Sequence, residues 1–157
     1  MLRFVDITSA SDDLFIPWIE LYETAFPPEE RILVSRFLDL LKAKGRGEYP
    51  DSHMQAALDE DGEFAALLRF DLIREREAAY LWYLAVHPEA RNGGVGSQCF
   101  AYVLDRAVEA GMKALVWEVE APEHIEDPAR REPAERRIGF YRRQGALMLT
   151  GIHYVQK

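Results

Sequence analysis

Apolar residues recur three and four apart in some stretches of this chain and alternate or crowd together in others, and the two periods mark out its elements. Leu2–Thr8 alternates as a first strand, with Phe4 and Leu2 on its inward side. Leu14, Trp18, Leu21, Tyr22 and Ala25 then follow helical spacing, with Pro17 better suited to an early helical position than an interior one. Beyond the break at Phe26-Pro27-Pro28, a second helix puts Leu33, Phe37, Leu40 and Leu41 on one face. Lys42 and Lys44 complement its C-terminal dipole, and Gly45 is positioned to supply a left-handed cap.

Strand patterns come next. His53–Leu58 leads into an Asp61-Gly62 turn, and Glu63–Arg74 is long enough to return as the second strand of a hairpin. Ala78–Val86 is a further strand, stopped by Pro88. A helix after the glycines at 93–96 carries Phe100, Val103, Leu104, Ala107 and Val108 on one face and ends near Gly111. Ala114–Val119 is a strand, Ala121–Glu132 a loop dense in Pro, charge and His, and Pro133 opens a last helix that Gly145 closes. Ala146–Val155 begins a terminal β segment. The order β-α-α-β-β-β-α-β-α-β predicts a layered α/β (α+β) domain on a mixed sheet.

Composition narrows the function classes. A chain of 157 residues, 48% hydrophobic and 29% charged, is expected to fold as one domain over 1–157. The formal net charge of −8 opposes nonspecific nucleic-acid binding, and no apolar run is long enough to span a bilayer. Cys99 is the only cysteine, which excludes an internal disulfide and disfavours a cysteine-based zinc site. The four histidines, His53, His87, His124 and His153, have no metal-ligand spacing, so no metal is expected. Met1–Ala10 lacks the apolar core of a signal peptide, and a cytoplasmic setting is the simplest expectation.

The strongest chemical signal lies between Tyr80 and Ser97, where an apolar strand runs through a glycine-rich turn into a helix. Gly93, Gly94 and Gly96 allow a ligand to approach the backbone closely. The first helical N–H groups have no partners inside their helix, the dipole concentrates positive potential there, and Arg91 adds a charge. A glycine-rich turn that merely caps the helix is the plainer alternative. Other phosphate motifs fit poorly: no Lys-Ser or Lys-Thr follows the glycines, and Cys99 stands where a dinucleotide fingerprint needs a third small residue.

Arg91-x-x-Gly94-x-Gly96 resembles the [Gln/Arg]-x-x-Gly-x-[Gly/Ala] signature of GNAT acetyltransferases. Leu84-Ala85-Val86-His87-Pro88 is similar to that family's fourth strand, and Phe140-Tyr141-Arg142-Arg143-Gln144-Gly145-Ala146 to the segment opening its second conserved block. The resemblance implies a central sheet of six to seven strands flanked by about four helices. It also implies acetyl-CoA as co-substrate and direct attack of a primary amine on the thioester. On this reading Leu84 and Val86 offer main-chain groups to pantetheine, and Arg91, Asn92, Gly93, Gly94, Val95, Gly96 and Ser97 cradle the pyrophosphate. Tyr141 matches the family's general acid, and Glu118 or Glu120, two apart on the fifth strand, is the candidate base, with Glu118 preferred as the deeper. Glu29, Arg31 and Tyr83 are candidate acceptor contacts, although Pro28, Glu29 and Glu30 also make a good helix start. Cys99 reads as a small buried residue rather than an acetyl carrier, and His87 as a turn residue.

The chain departs from the family pattern in places. Ala134 and Arg137 occupy positions where members often carry Asn and Ala, and Gly145-Ala146 replaces the common Gly-Phe. Gly151–Lys157 leaves room for only a short seventh strand, and an uncovered edge suggests a homodimer. The expected activity is N-acetyl transfer to a small-molecule or peptide amine, with no nucleic-acid or membrane partner. The alternatives are a non-catalytic acyl-CoA-binding sensor or regulatory subunit, and a phosphate-binding module unrelated to coenzyme A.

Overall fold

The computed structural model of the chain describes residues 1–151. They fall into two compact units, Met1–Trp117 and the residues from Glu118 onward. The first contains strands β1 (Arg3–Asp6), β2 (Ser52–Leu58), β3 (Phe64–Ile73), β4 (Ala78–Val86) and β5 (Ala114–Val116), with helices α1 (Phe15–Ala25), α2 (Val34–Gly45) and α3 (Val95–Glu109). The second contains α4 (Pro128–Arg143).

The strands lie in the order β1-β2-β3-β4-β5, antiparallel until β5 joins β4 in parallel. The mixed α/β class is as expected, but the sheet has five strands among the described residues, not six or seven. Residues 146–151 form no strand, and the rest of the expected terminal β segment lies outside the described residues.

Alternation along the strands sends side chains to two helical layers. Met54, Ala56, Leu67, Tyr83 and Ala85 bury one face with Trp18, Tyr22 and Phe37 of α1 and α2. Trp18 is wholly buried and donates its indole N–H to the Gln55 carbonyl at 2.8 Å, so its polar end does not weaken the core. On the opposite face, α3 buries Cys99, Phe100, Val103 and Ala107, and Tyr102 stacks on Phe4 at 3.7 Å between ring centroids. Leu104 and Val108 do not join this buried face; both are exposed. The helix is rotated so that Cys99 replaces them.

Several boundaries differ from the sequence reading for identifiable reasons. Pro28–Glu30 forms a 3-10 turn, and α2 begins only at Val34. The intervening Ile32 is held by side-chain bonds: its N–H donates to Tyr22 Oη at 2.7 Å, and Tyr22 Oη donates to its carbonyl at 3.1 Å. Gly45 is the last residue of α2, while Gly47, with φ +83°, takes the left-handed position two residues later. Glu48 N–H then closes on the Ala43 carbonyl at 3.0 Å.

The fifth strand stops at Val116, short of the expected Val119. Its parallel pairing with β4 ends at Tyr80↔Val116, and a strand without a ladder does not persist. In the second unit, α4 starts at Pro128, five residues before Pro133. The Asp127 carboxylate accepts from Ala129 N–H at 2.9 Å, which caps the helix and puts Pro128 in its first turn. Pro133 is therefore interior to α4. Gly145 does follow its end, where Ala146 N–H meets the Tyr141 carbonyl at 3.1 Å.

Candidate functional site

The outer edge of β4 is the floor of the site. The register with β3 jumps from Arg69↔Tyr83 to Phe70↔Leu81, so Trp82 forms a bulge. Beyond it, His87 N–H donates to the Ala65 carbonyl at 2.8 Å, which aims the main-chain groups of His87 and Ala85 at β3. By alternation, those of Leu84 and Val86 face the opposite edge. That edge is covered by β5 only at Ala78–Tyr80. The parallel pair therefore parts before reaching Leu84. Arg91 folds back there, its Nε reaching the Val86 carbonyl at 3.4 Å.

The turn after β4 leads directly to α3. His87 Nδ1 accepts from Glu89 N–H at 3.2 Å and caps a short 3-10 turn at Pro88–Ala90, the turn role expected of it. Asn92 (φ +68°) and Gly94 (φ +74°) then take left-handed backbone on either side of Gly93. Such alternation turns N–H groups towards a common concavity, a recognised anion-binding form. The first bond of the helical ladder is Gln98 N–H to the Gly94 carbonyl, at 3.1 Å. The amides of Gly94, Val95 and Gly96 precede it and have no carbonyl of their own helix to bind. No heavy atom lies within 4 Å of where a Cβ on Gly94 would stand, and for Gly93 the nearest is the Ala90 carbonyl at 3.8 Å. At Gly93 and Gly94 the described residues leave room for a ligand to approach the backbone. A diphosphate matches these donors in charge and in room.

On the other side of β4, Tyr83 is 5% exposed, and its ring meets Tyr22 at 4.8 Å and Phe26 at 4.9 Å between centroids. Its hydroxyl donates to the Glu30 carbonyl at 2.8 Å. The tyrosine thus anchors the α1–α2 connection, and its phenol is already engaged by protein. Burial, then the neighbouring Tyr83 phenol, push the Tyr22 phenol pKa up, so Tyr22 stays neutral at physiological pH. A pocket of about 260 Å³ lies beside these residues, lined by Arg31 among others, while Glu29 is exposed in the 3-10 turn. Sequence reasoning missed Tyr22 as part of this framework: its helical spacing marks it as core, and nothing in the spacing shows its hydroxyl holding Ile32.

In the second unit, Glu118 and Glu120 follow β5 and do not lie on a strand. The preference for Glu118 as the deeper strand residue therefore has no structural basis. Glu120 is ion-paired with Arg130 at 2.9 Å. Tyr141, in the last turns of α4, packs edge-on against Phe140 at 5.1 Å. Burial pushes its phenol pKa up, opposed by the Arg137 charge. In the first unit, burial pushes the Cys99 thiol up to about 12, so a thiolate nucleophile is not available near neutral pH. Among the described residues no group of three His, Cys, Asp or Glu is arranged to hold a metal, and no helix is long and apolar enough to cross a membrane.

The parallel strand pair β4–β5 thus parts ahead of the glycine-lined N-terminus of α3. The chain belongs to the acetyltransferase (GNAT) family, whose model matches residues 15–146. No curated protein matches it. Among solved structures, it is similar to a protein assigned to the GNAT acetyltransferases of Bacteroides thetaiotaomicron, at 26% identity and a TM-score of 0.65, over 90% of this chain and 70% of that one. An aminoglycoside acetyltransferase from an uncultured soil metagenomic sample, solved with sisomicin, shares the fold at 16% identity and a TM-score of 0.66, over 99% and 97% of the two chains. So does a transcriptional regulator from Bacillus halodurans C-125, at 18% identity and a TM-score of 0.66, over 100% and 99%.

Proposed function

We propose that this GNAT protein is an acetyl-CoA-dependent N-acetyltransferase acting on a primary amine. The observation that carries the reading is the β4 edge at Leu84 and Val86, which β5 does not pair, running into the cradle at Gly93 and Gly94. Bound acetyl-CoA supplies the activated thioester. Leu84 and Val86 hold its pantetheine arm as an added strand would be held. The amides of Asn92 to Ser97 and the Arg91 guanidinium hold the diphosphate.

Two proton tasks fall to the chain. The acceptor ammonium loses a proton to a carboxylate, assigned to Glu118 or Glu120, before its nitrogen attacks the acyl carbon. Tyr141 donates its phenolic proton to the departing sulfur, and the second proton that the nitrogen sheds as the amide forms restores the phenol. Its raised pKa keeps that proton in place at neutral pH, as a donor requires. Glu29, Arg31 and Tyr83 belong to the acceptor side, with Tyr83 acting through the loop it anchors.

The reading is tested by following thiol release from acetyl-CoA with polyamines, aminoglycosides, amino acids and peptides as acceptors. Turnover with one of these classes, together with mass gain on the amine, supports it. The position of Glu118 and Glu120 off the strand favours one rival, a non-catalytic acyl-CoA sensor. Tight binding of coenzyme A without turnover on any acceptor would favour that rival, and absence of coenzyme A binding would overturn both.

A further inference from the structure

The wall of the pocket at the α1–α2 connection carries a charge that no described residue neutralises. Arg31 Nε is buried and has no hydrogen-bond partner, and among the described residues no carboxylate lies within ion-pairing distance of its guanidinium, although Glu23 lines the same pocket. An unmet donor on a charged group is costly, and arginine is rarely left so inside a pocket unless something else supplies the acceptor. Tyr22, which lines the same pocket, is committed to both main-chain groups of Ile32. Much of the remaining wall is aliphatic: Ile32, Leu33 and Val34. Leu33 is 73% exposed.

We propose that this pocket binds the carboxylate of the acceptor, and that the acceptor is a small apolar amino acid or a peptide ending in one. The carboxylate meets the Arg31 guanidinium, whose planar fork matches it in geometry. The side chain lies along Ile32, Leu33 and Val34. At about 260 Å³ the pocket has room for a group of amino-acid size. The uncompensated cation also disfavours polycationic acceptors such as aminoglycosides. This inference rests on the transferase reading for the amine's fate, but not for the binding of the carboxylate.

The test is calorimetric binding of leucine, phenylalanine, leucinamide and sisomicin to the full chain saturated with coenzyme A, with coenzyme A affinity measured separately. Leucine or phenylalanine is expected to bind at least about tenfold more tightly than leucinamide, the gain of a charge-assisted bond. Arg31→Gln should erase that gap, and Arg31→Lys should retain part of it. Because Arg31 is half-buried, the melting temperature of each variant is measured alongside, and the lysine variant keeps the test open if the glutamine variant unfolds. Equal or absent affinity for the acid and the amide, a gap that survives Arg31→Gln, or preference for sisomicin overturns the proposal. A gap seen in a protein that does not bind coenzyme A would uphold the carboxylate pocket while defeating the transferase reading.

Discussion

Tyr83 Oη donates to the carbonyl of Glu30 at 2.8 Å, and this bond links the floor of the proposed donor site to the wall of the proposed acceptor site. The next residue in β4, Leu84, turns its main-chain groups to the open edge. The next residue after Glu30 is Arg31. One phenol therefore sets how the α1–α2 connection sits on the strand beneath it. Tyr83→Phe keeps the ring packing and removes the bond. It should cost ~1 kcal/mol of stability in chemical denaturation. The acceptor KM should rise several-fold while coenzyme A affinity stays unchanged; a fall in coenzyme A affinity alone would contradict the anchoring role.

Gly93 and Gly94 separate backbone strain from ligand clash. Gly94 has φ +74°, so Gly94→Ala should lower stability by ~1–2 kcal/mol as well as weaken coenzyme A. Gly93 does not have a positive φ, and a Cβ there meets only the Ala90 carbonyl at 3.8 Å. Gly93→Ala should leave the thermal midpoint within a few degrees of the parent and still reduce coenzyme A affinity. Paired melting and binding curves check both.

Tyr141→Phe should lower kcat by ~10²-fold or more, the usual contribution of a positioned acid, with coenzyme A affinity little changed. The acid must be protonated to act, so activity is lost as pH rises through its pKa in the folded protein. Burial raises that pKa, and the alkaline limb should therefore lie above the ordinary tyrosine value of about 10. A pH–rate profile with an alkaline limb well below that value would remove Tyr141 from the role.

Asp71 makes the pH dependence of stability readable. Burial alone would raise its pKa, but its 2.6 Å ion pair with Arg69 and the 2.8 Å bond from Trp82 Nε1 outweigh this and hold it below the usual value. A depressed folded pKa stabilises the protein above the unfolded value of about 3.9, and the contribution disappears as pH falls through the lower folded value. Asp71→Asn should thus be destabilising at neutral pH and approach the parent protein in acid. Urea midpoints of the two proteins across pH 2–7 measure the difference.

Where local chemistry decides structure, the sequence was readable. The β4 bounds, Ala78–Val86, follow from its apolar run and Pro88, and the glycines before α3 mark both the turn and the cradle. Where a distant partner decides, it was not. The start of α2 depends on Tyr22 reaching Ile32, ten residues on, and the length of β5 depends on how far β4 stays beside it. Gly45 and Gly47 are equally suited to a left-handed cap, and so are Pro128 and Pro133 to a helix start. Asp127 was the sequence signal that distinguishes the prolines, as an N-cap residue directly before the first of them. The candidate residues for donor binding were legible because they are consecutive. The orphaned Nε of Arg31 was not, since no spacing shows which guanidinium lacks a partner.

Titration of the amide-labelled protein by NMR with coenzyme A, and in parallel with pantetheine, tests the cradle most directly. The account predicts that the N–H resonances of Gly94, Val95 and Gly96 shift with coenzyme A and stay nearly still with pantetheine, which lacks the diphosphate. Coenzyme A binding that leaves those three resonances unmoved would contradict it.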